Sequence, residues 1–124
     1  MDTVDESRTS SFSKPVPNVV LYHADCMDGF GAAWALWKRF PKAEYIPVKH
    51  GQPPPLSFDG KHVLMVDFSY ERKVIEEINR AAASFQILDH HVTAQAALDG
   101  LSYAYFDMKK SGAVLAWELS LIHI

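Results

Sequence analysis

The chain has 124 residues, 12 Lys+Arg against 15 Asp+Glu, and a formal net charge of −3. That is one domain's worth of chain, and its sign is wrong for a broad, sequence-independent grip on duplex nucleic acid, which needs a clustered basic face. At 48% hydrophobic and 22% charged it has the composition of a globular protein able to bury a core of its own. Its one cysteine, Cys26, excludes an internal disulfide framework and a cysteine-only zinc site. No run approaches the roughly 18 apolar residues of a membrane span. The expectation is a soluble cytoplasmic domain with no membrane partner.

Residues 1–17 are rich in Ser, Thr and charge and end in Pro15-Val16-Pro17, so they read as a flexible leader to a folded domain over 18–124. Residues 18–22 form a short β-branched apolar run suited to a buried parallel strand. A loop over 23–29 follows, then a helix that places Phe30, Ala33, Trp34, Trp37 and Phe40 near helical spacing and stops at Pro41. Residues 43–48 predict a weak strand, confined to an edge by Pro47. Pro53-Pro54-Pro55 makes 51–60 an irregular connection.

The run 62–67 is the clearest strand, entered through Asp59-Gly60. Residues 70–83 predict an amphipathic helix with Val74, Ile75 and Ile78 inward and Ser69 as its N-cap. Strands at 84–88 and 102–106 bracket a helix at 92–98, and a last helix begins near Ser111. This alternation predicts a Rossmann-like α/β domain: a mostly parallel sheet with helices on both faces. In such sheets functional groups collect beyond the carboxyl ends of the strands.

Three strand exits carry the residues of a metal site. The first reads His23-Ala24-Asp25-Cys26-Met27-Asp28-Gly29, the second ends in Asp67, and the third ends in Asp89-His90-His91. A parallel sheet would bring all three to one edge. Carboxylate oxygens with imidazole nitrogens suit Mn²⁺, Zn²⁺ or Fe²⁺, and Mg²⁺ less well. Several carboxylates at close quarters would repel one another or take up protons unless a cation joined them. Two cations bridged by a carboxylate would clamp a phosphoryl group and acidify a bound water.

These three motifs, in this order and strand context, resemble those of the DHH phosphoesterase superfamily, over about residues 18–118. The resemblance implies hydrolysis of phosphodiester or phosphoanhydride bonds in small nucleotides, short oligonucleotides, single-stranded DNA or polyphosphate. It implies a cofactor of two Mn²⁺, with Mg²⁺ or Co²⁺ as substitutes, and a small phosphorylated substrate or short single-stranded nucleic acid as partner. By the same resemblance His23 and Asp25 would bind one metal, Asp28 and His90 the other, and Asp67 both. Asp67 and His91 would carry the catalysis, the former holding the nucleophilic water and the latter the substrate phosphate. Asp89 would support the site from behind its ligands.

Two departures stand out. An extra residue separates Asp25 from Asp28, so that, aligned on Asp28-Gly29, Cys26 takes the place of the family's first aspartate. Either is a candidate ligand, Asp25 the preferred one because hard cations take oxygen. The family also carries a further metal-binding Asp past the Asp-His-His and a second domain. Here only Asp99 and Asp107 follow, so the chain reads as the N-terminal part of a longer enzyme. A non-catalytic domain that binds metal or nucleotide, or serves assembly, is the alternative expectation.

The remaining features have plainer readings. Trp34, Trp37 and Trp117 are expected in the core, and His50, His62 and His123 as solvated or strand-edge residues. Ser111 and Gly112, after Lys109-Lys110, are candidates for a substrate phosphate at a helix start, with a helix cap as the simpler role. Cys26 as a catalytic nucleophile is the least favoured alternative, since a lone cysteine is most often inert packing.

Overall fold

The computed structural model describes residues 16–55, 57–107, 111 and 114–118. Five parallel strands form one sheet in the order β2-β1-β3-β4-β5: β1 (Val19–His23), β2 (Glu44–Val48), β3 (His62–Val66), β4 (Ser84–Asp89) and β5 (Ala104–Phe106). Helix α1 (Met27–Arg39) joins β1 to β2, α2 (Arg72–Ala81) joins β3 to β4, and α3 (Val92–Ala97) joins β4 to β5. The expected α/β architecture is therefore present, and every strand pair among the described residues is parallel. Pro47 sits in β2, an edge strand, where its missing N–H breaks no ladder on the open side. No described helix is long and apolar enough to cross a membrane.

Two apolar layers cover the sheet because the central strands bury both faces. Val20, Leu64, Val66 and Leu88 point to one side and pack with Ala32, Ala35 and Leu36 of α1 and with Leu115 and Ala116. Val19, Leu21, Val63, Met65 and Ile87 point to the other and pack with Ile75 and Ile78 of α2, with Leu98, and with Phe58 from the 49–61 connection. The sheet grows both ways from β1, so crossovers of one hand must run on opposite faces. Putting α1 opposite α2 and Phe58 meets that requirement. The order reverses between β1 and β3, which opens a crevice at their carboxyl ends.

Three expectations need correction. Trp34, Trp37 and Trp117 are 52%, 53% and 48% exposed rather than in the core. Helix α1 meets the sheet through Gly29, Ala32, Ala33, Ala35 and Leu36. Small side chains let the helix lie close to the strands, and the bulky Phe30, Trp34 and Trp37 are left on its outer face. Lys38 Nζ lies 4.5 Å over the Trp34 ring, a cation–π contact that suits a solvated aromatic. Second, α2 starts later than the 70–83 periodicity suggests, with Glu71 at its N-cap and no side-chain cap bond; Ser69 is engaged elsewhere. Third, His62 is not at an edge: its Nδ1 lies 2.8 Å from Ser84 Oγ, tying the starts of β3 and β4 together.

The expected leader, apart from Val16 and Pro17, lies outside the described residues, as do Gly112, Lys109, Lys110 and His123. Of the expected last helix, residues 114–118 are helical. Ser111 caps them, its Oγ accepting the Val114 N–H at 3.2 Å.

Candidate metal centre

Each group in the crevice is positioned by a strand end. His23 closes β1, and the loop turns through Asp25, whose backbone is left-handed at φ 55°, into α1. Cys26 is the N-cap of α1 and Asp28 lies in its first turn. That turn is seated directly on β1: a Cβ at Gly29 would fall 2.3 Å from the His23 carbonyl oxygen. Only glycine lets α1 start here, with its first turn set against the end of β1.

Asp67 follows β3 with φ 57°, a left-handed conformation that Asp tolerates better than most residues. Its N–H still joins the ladder, donating to Leu88 O at 2.9 Å. The kink leaves the carboxylate 1% exposed at the mouth between β1 and β3.

Asp67 is the hub. Its Oδ1 lies 2.8 Å from His90 Nε2, which is also 3.1 Å from Asp28 Oδ2. Its Oδ2 accepts a bond from the Cys26 thiol at 3.6 Å. Burial and the hydrogen-bonded Asp28 carboxyl beside it push the Asp67 pKa up, against an opposing pull from His90. Two adjacent carboxylates require a shared proton or a positive partner, and His90 Nε2 lies within donating distance of both. A divalent cation held by the same three side chains would be that partner instead.

Behind the hub, Asp89 is fully buried and its carboxylate is saturated. Oδ2 accepts from the Ser69 hydroxyl at 2.9 Å, and Oδ1 from the His90 backbone N–H at 2.8 Å and from His91 Nδ1 at 2.6 Å. An ionised carboxylate only accepts, so His91 donates from Nδ1 and keeps Nε2 for another partner. The His91 side chain is half-exposed, with its ring 4.4 Å from that of His90.

Two sets of donors converge here. Asp67, Asp89, His90 and His91 form one, and His23, Cys26 and Asp67 the other; within each, the donor atoms lie within 4.8 Å of one another. Asp67 belongs to both. The sets fit a metal on their chemistry, nitrogen with oxygen in the first and nitrogen, sulfur and oxygen in the second. A second observation agrees: His23 Nδ1 is fully buried with no hydrogen-bond partner among the described residues, a state that normally calls for a ligand or ion.

Asp25 lies outside both sets. It points into solvent, its side chain 78% exposed, and pairs with Lys49 Nζ at 2.8 Å, which holds its carboxyl below the usual range. Cys26 stands where the preference for oxygen had put Asp25. Ser111 is committed to its helix cap. Sequence reasoning missed the role of Ser69 in holding Asp89, and the packing of His50 against His23, with ring centroids 5.6 Å apart, and against Phe68 at 4.5 Å. The spacing of Ser69 from Asp67, two residues along one strand exit, was the available signal for the first. No local signal marked the second.

No family model matches the chain. It is 37% identical over 132 residues to the uncharacterized protein R106 of Acanthamoeba polyphaga mimivirus, an alignment covering 92% of this chain and 31% of that protein. Its fold is similar to that in a crystal structure of an uncharacterized protein from Helicobacter pylori G27, with a TM-score of 0.71 at 15% identity, over 85% of this chain and 36% of that one. At that identity the likeness concerns the fold. The chain spans about a third of the length of either relative.

Proposed function

We propose that this domain belongs to a DHH-type, metal-dependent phosphohydrolase that cleaves phosphodiester or phosphoanhydride bonds in small nucleotides, short single-stranded oligonucleotides or polyphosphate. The observation that carries the reading is the shared carboxylate, Asp67, standing in both donor sets at the β1/β3 crevice. Divalent cations, Mn²⁺ in the first instance, would supply Lewis acidity and an acidified water when bound.

The chain's own residues then have distinct tasks. His90, Asp28 and Asp67 would hold one cation, and Asp67 with His23 and Cys26 would hold the other. Asp89 would fix the His91 ring through Nδ1, leaving Nε2 facing outward, where as an imidazolium it would donate to a phosphate oxygen whose charge grows as the bond to phosphorus breaks. The left-handed backbone at Asp67 is consistent with this role, since strained positions gather at functional sites.

Titration calorimetry with Mn²⁺ on the full chain and on Asp67→Ala tests the reading, together with hydrolysis of a chromogenic phosphodiester. Two sites weakened together in the variant, and turnover falling about 100-fold or more, are expected. Binding without turnover would make the domain a non-catalytic metal or nucleotide binder. Absence of binding would overturn the reading.

A further inference from the structure

We propose that His23, Cys26 and Asp67 form a mixed nitrogen–sulfur–oxygen site that prefers a zinc-class cation to Mn²⁺, with Cys26 as the residue that sets the preference. The inference rests on the metal-centre reading above and adds to it a chemical difference between the two donor sets.

The position of Cys26 is the first argument. It occupies the N-cap of α1, where Ser, Thr, Asp or Asn would close the helix by accepting a backbone N–H. Its side chain makes no such bond. The thiol turns instead into the crevice and donates to Asp67 Oδ2 at 3.6 Å. Cysteine here forgoes the local benefit any good cap would bring, so its use is explained by what the sulfur faces.

The second argument is independent of the cysteine. His23 Nδ1 is buried and unpartnered among the described residues, and the His23 backbone is packed against Gly29 at the start of α1. His50 and Phe68 enclose the ring from the side, with centroids 5.6 Å away in each case.

The third is the donor that is missing. Asp25, the oxygen donor next to Cys26 in the chain, is drawn away by Lys49 at 2.8 Å. What remains is one imidazole, one thiol and one shared carboxylate, with donor atoms within 4.8 Å of one another. Thiolate and imidazole favour Zn²⁺, Co²⁺ and Fe²⁺ over Mn²⁺, whereas the sulfur-free set of Asp67, Asp89, His90 and His91 is the one open to Mn²⁺. On binding, the thiol releases its proton to solvent and sulfur coordinates as thiolate.

Co²⁺, a spectroscopic stand-in for zinc, tests this on the full chain. The expected result is a near-ultraviolet thiolate-to-cobalt charge-transfer band that saturates at one equivalent and is displaced by Zn²⁺ but not by equal Mn²⁺. Cys26→Ser should abolish the band, keep the visible ligand-field bands, and lower Zn²⁺ affinity by about 10–100-fold or more. Cys26→Asp should restore binding with the preference moved toward Mn²⁺. Ser and Asp are both good caps, so circular dichroism should show α1 retained in each. Co²⁺ binding with ligand-field bands and no charge-transfer band would overturn the role of Cys26 while sparing the metal centre. No Co²⁺ binding would overturn both.

Discussion

The two ends of the crevice are built differently. At the β4 end every polar group of Asp89 is satisfied by protein: the Ser69 hydroxyl, the His90 amide and the His91 ring hold a carboxylate that has no exposure to solvent. At the β1 end the His23 Nδ1 has no partner among the described residues, and Cys26 makes one long thiol bond. The β4 end is organised before any cation arrives and can aim His91. The β1 end has donors in place that a cation would unite. Asp67 belongs to both ends, and it carries the raised pKa that such a position produces.

The contrast is sharpest in stability. Asp89→Ala should cost about 3 kcal/mol in chemical denaturation, because it leaves buried donors on Ser69, His90 and His91 without an acceptor. His23→Ala should cost less than half of that while removing a candidate ligand. Equal losses would break the distinction between the two ends.

Gly29→Ala should come next, at about 2 kcal/mol. Its Cβ would meet the His23 carbonyl oxygen at 2.3 Å, and backbone cannot swing aside as a side chain can. The shift should also weaken Mn²⁺ binding, since it displaces the first turn of α1, which carries Asp28, from the end of β1 at His23. Normal binding in a destabilised Gly29→Ala would separate the seating of α1 from the geometry of the site.

A third effect follows from Asp67. Its folded pKa is raised above the ordinary 3.8, so ionisation penalises the native state. The associated stability is full below the ordinary value and is lost as pH rises through the raised one. A cation takes the proton's place. Saturating Mn²⁺ should therefore raise Tm by roughly 10 °C near pH 7.5 and by much less near pH 5, and Asp67→Asn should level the two. A Tm increment independent of pH would remove Asp67 from the hub.

The smallest effect belongs to the outer face of α1. Trp34→Ser should change stability by no more than about 0.5 kcal/mol, because the ring lies 52% exposed beyond the core. A loss of several times that would show the face to be packed.

Much of the fold was legible because its strands are continuous apolar runs with polar exits. Val19–His23, His62–Val66 and Ser84–Asp89 each announce a strand buried on both faces, and each ends in His or Asp or is followed at once by Asp67. Helix α1 was legible as a helix but not in its orientation. Both its Ala-rich and its aromatic stripes are apolar, and periodicity does not say which one meets a sheet. Asp25 and Cys26 both stood open as ligands, with Asp25 preferred on donor chemistry alone, for a similar reason: the choice turns on a left-handed residue at 25 and a helix start at 27.

By itself the amino-acid sequence determined the order of elements, the parallel sheet they imply, and the three exits that carry Asp, His and Cys. These are properties of neighbouring residues, set by side-chain period and turn chemistry. Only the tertiary structure decided that Asp67 would meet Cys26 and His90, 41 and 23 positions away along the chain. It also decided that Ser69 would serve Asp89 and that Lys49 would draw Asp25 aside. Those outcomes depend on strand order and on how closely α1 can approach β1. Packing of the whole domain sets both, and no stretch of sequence encodes either locally.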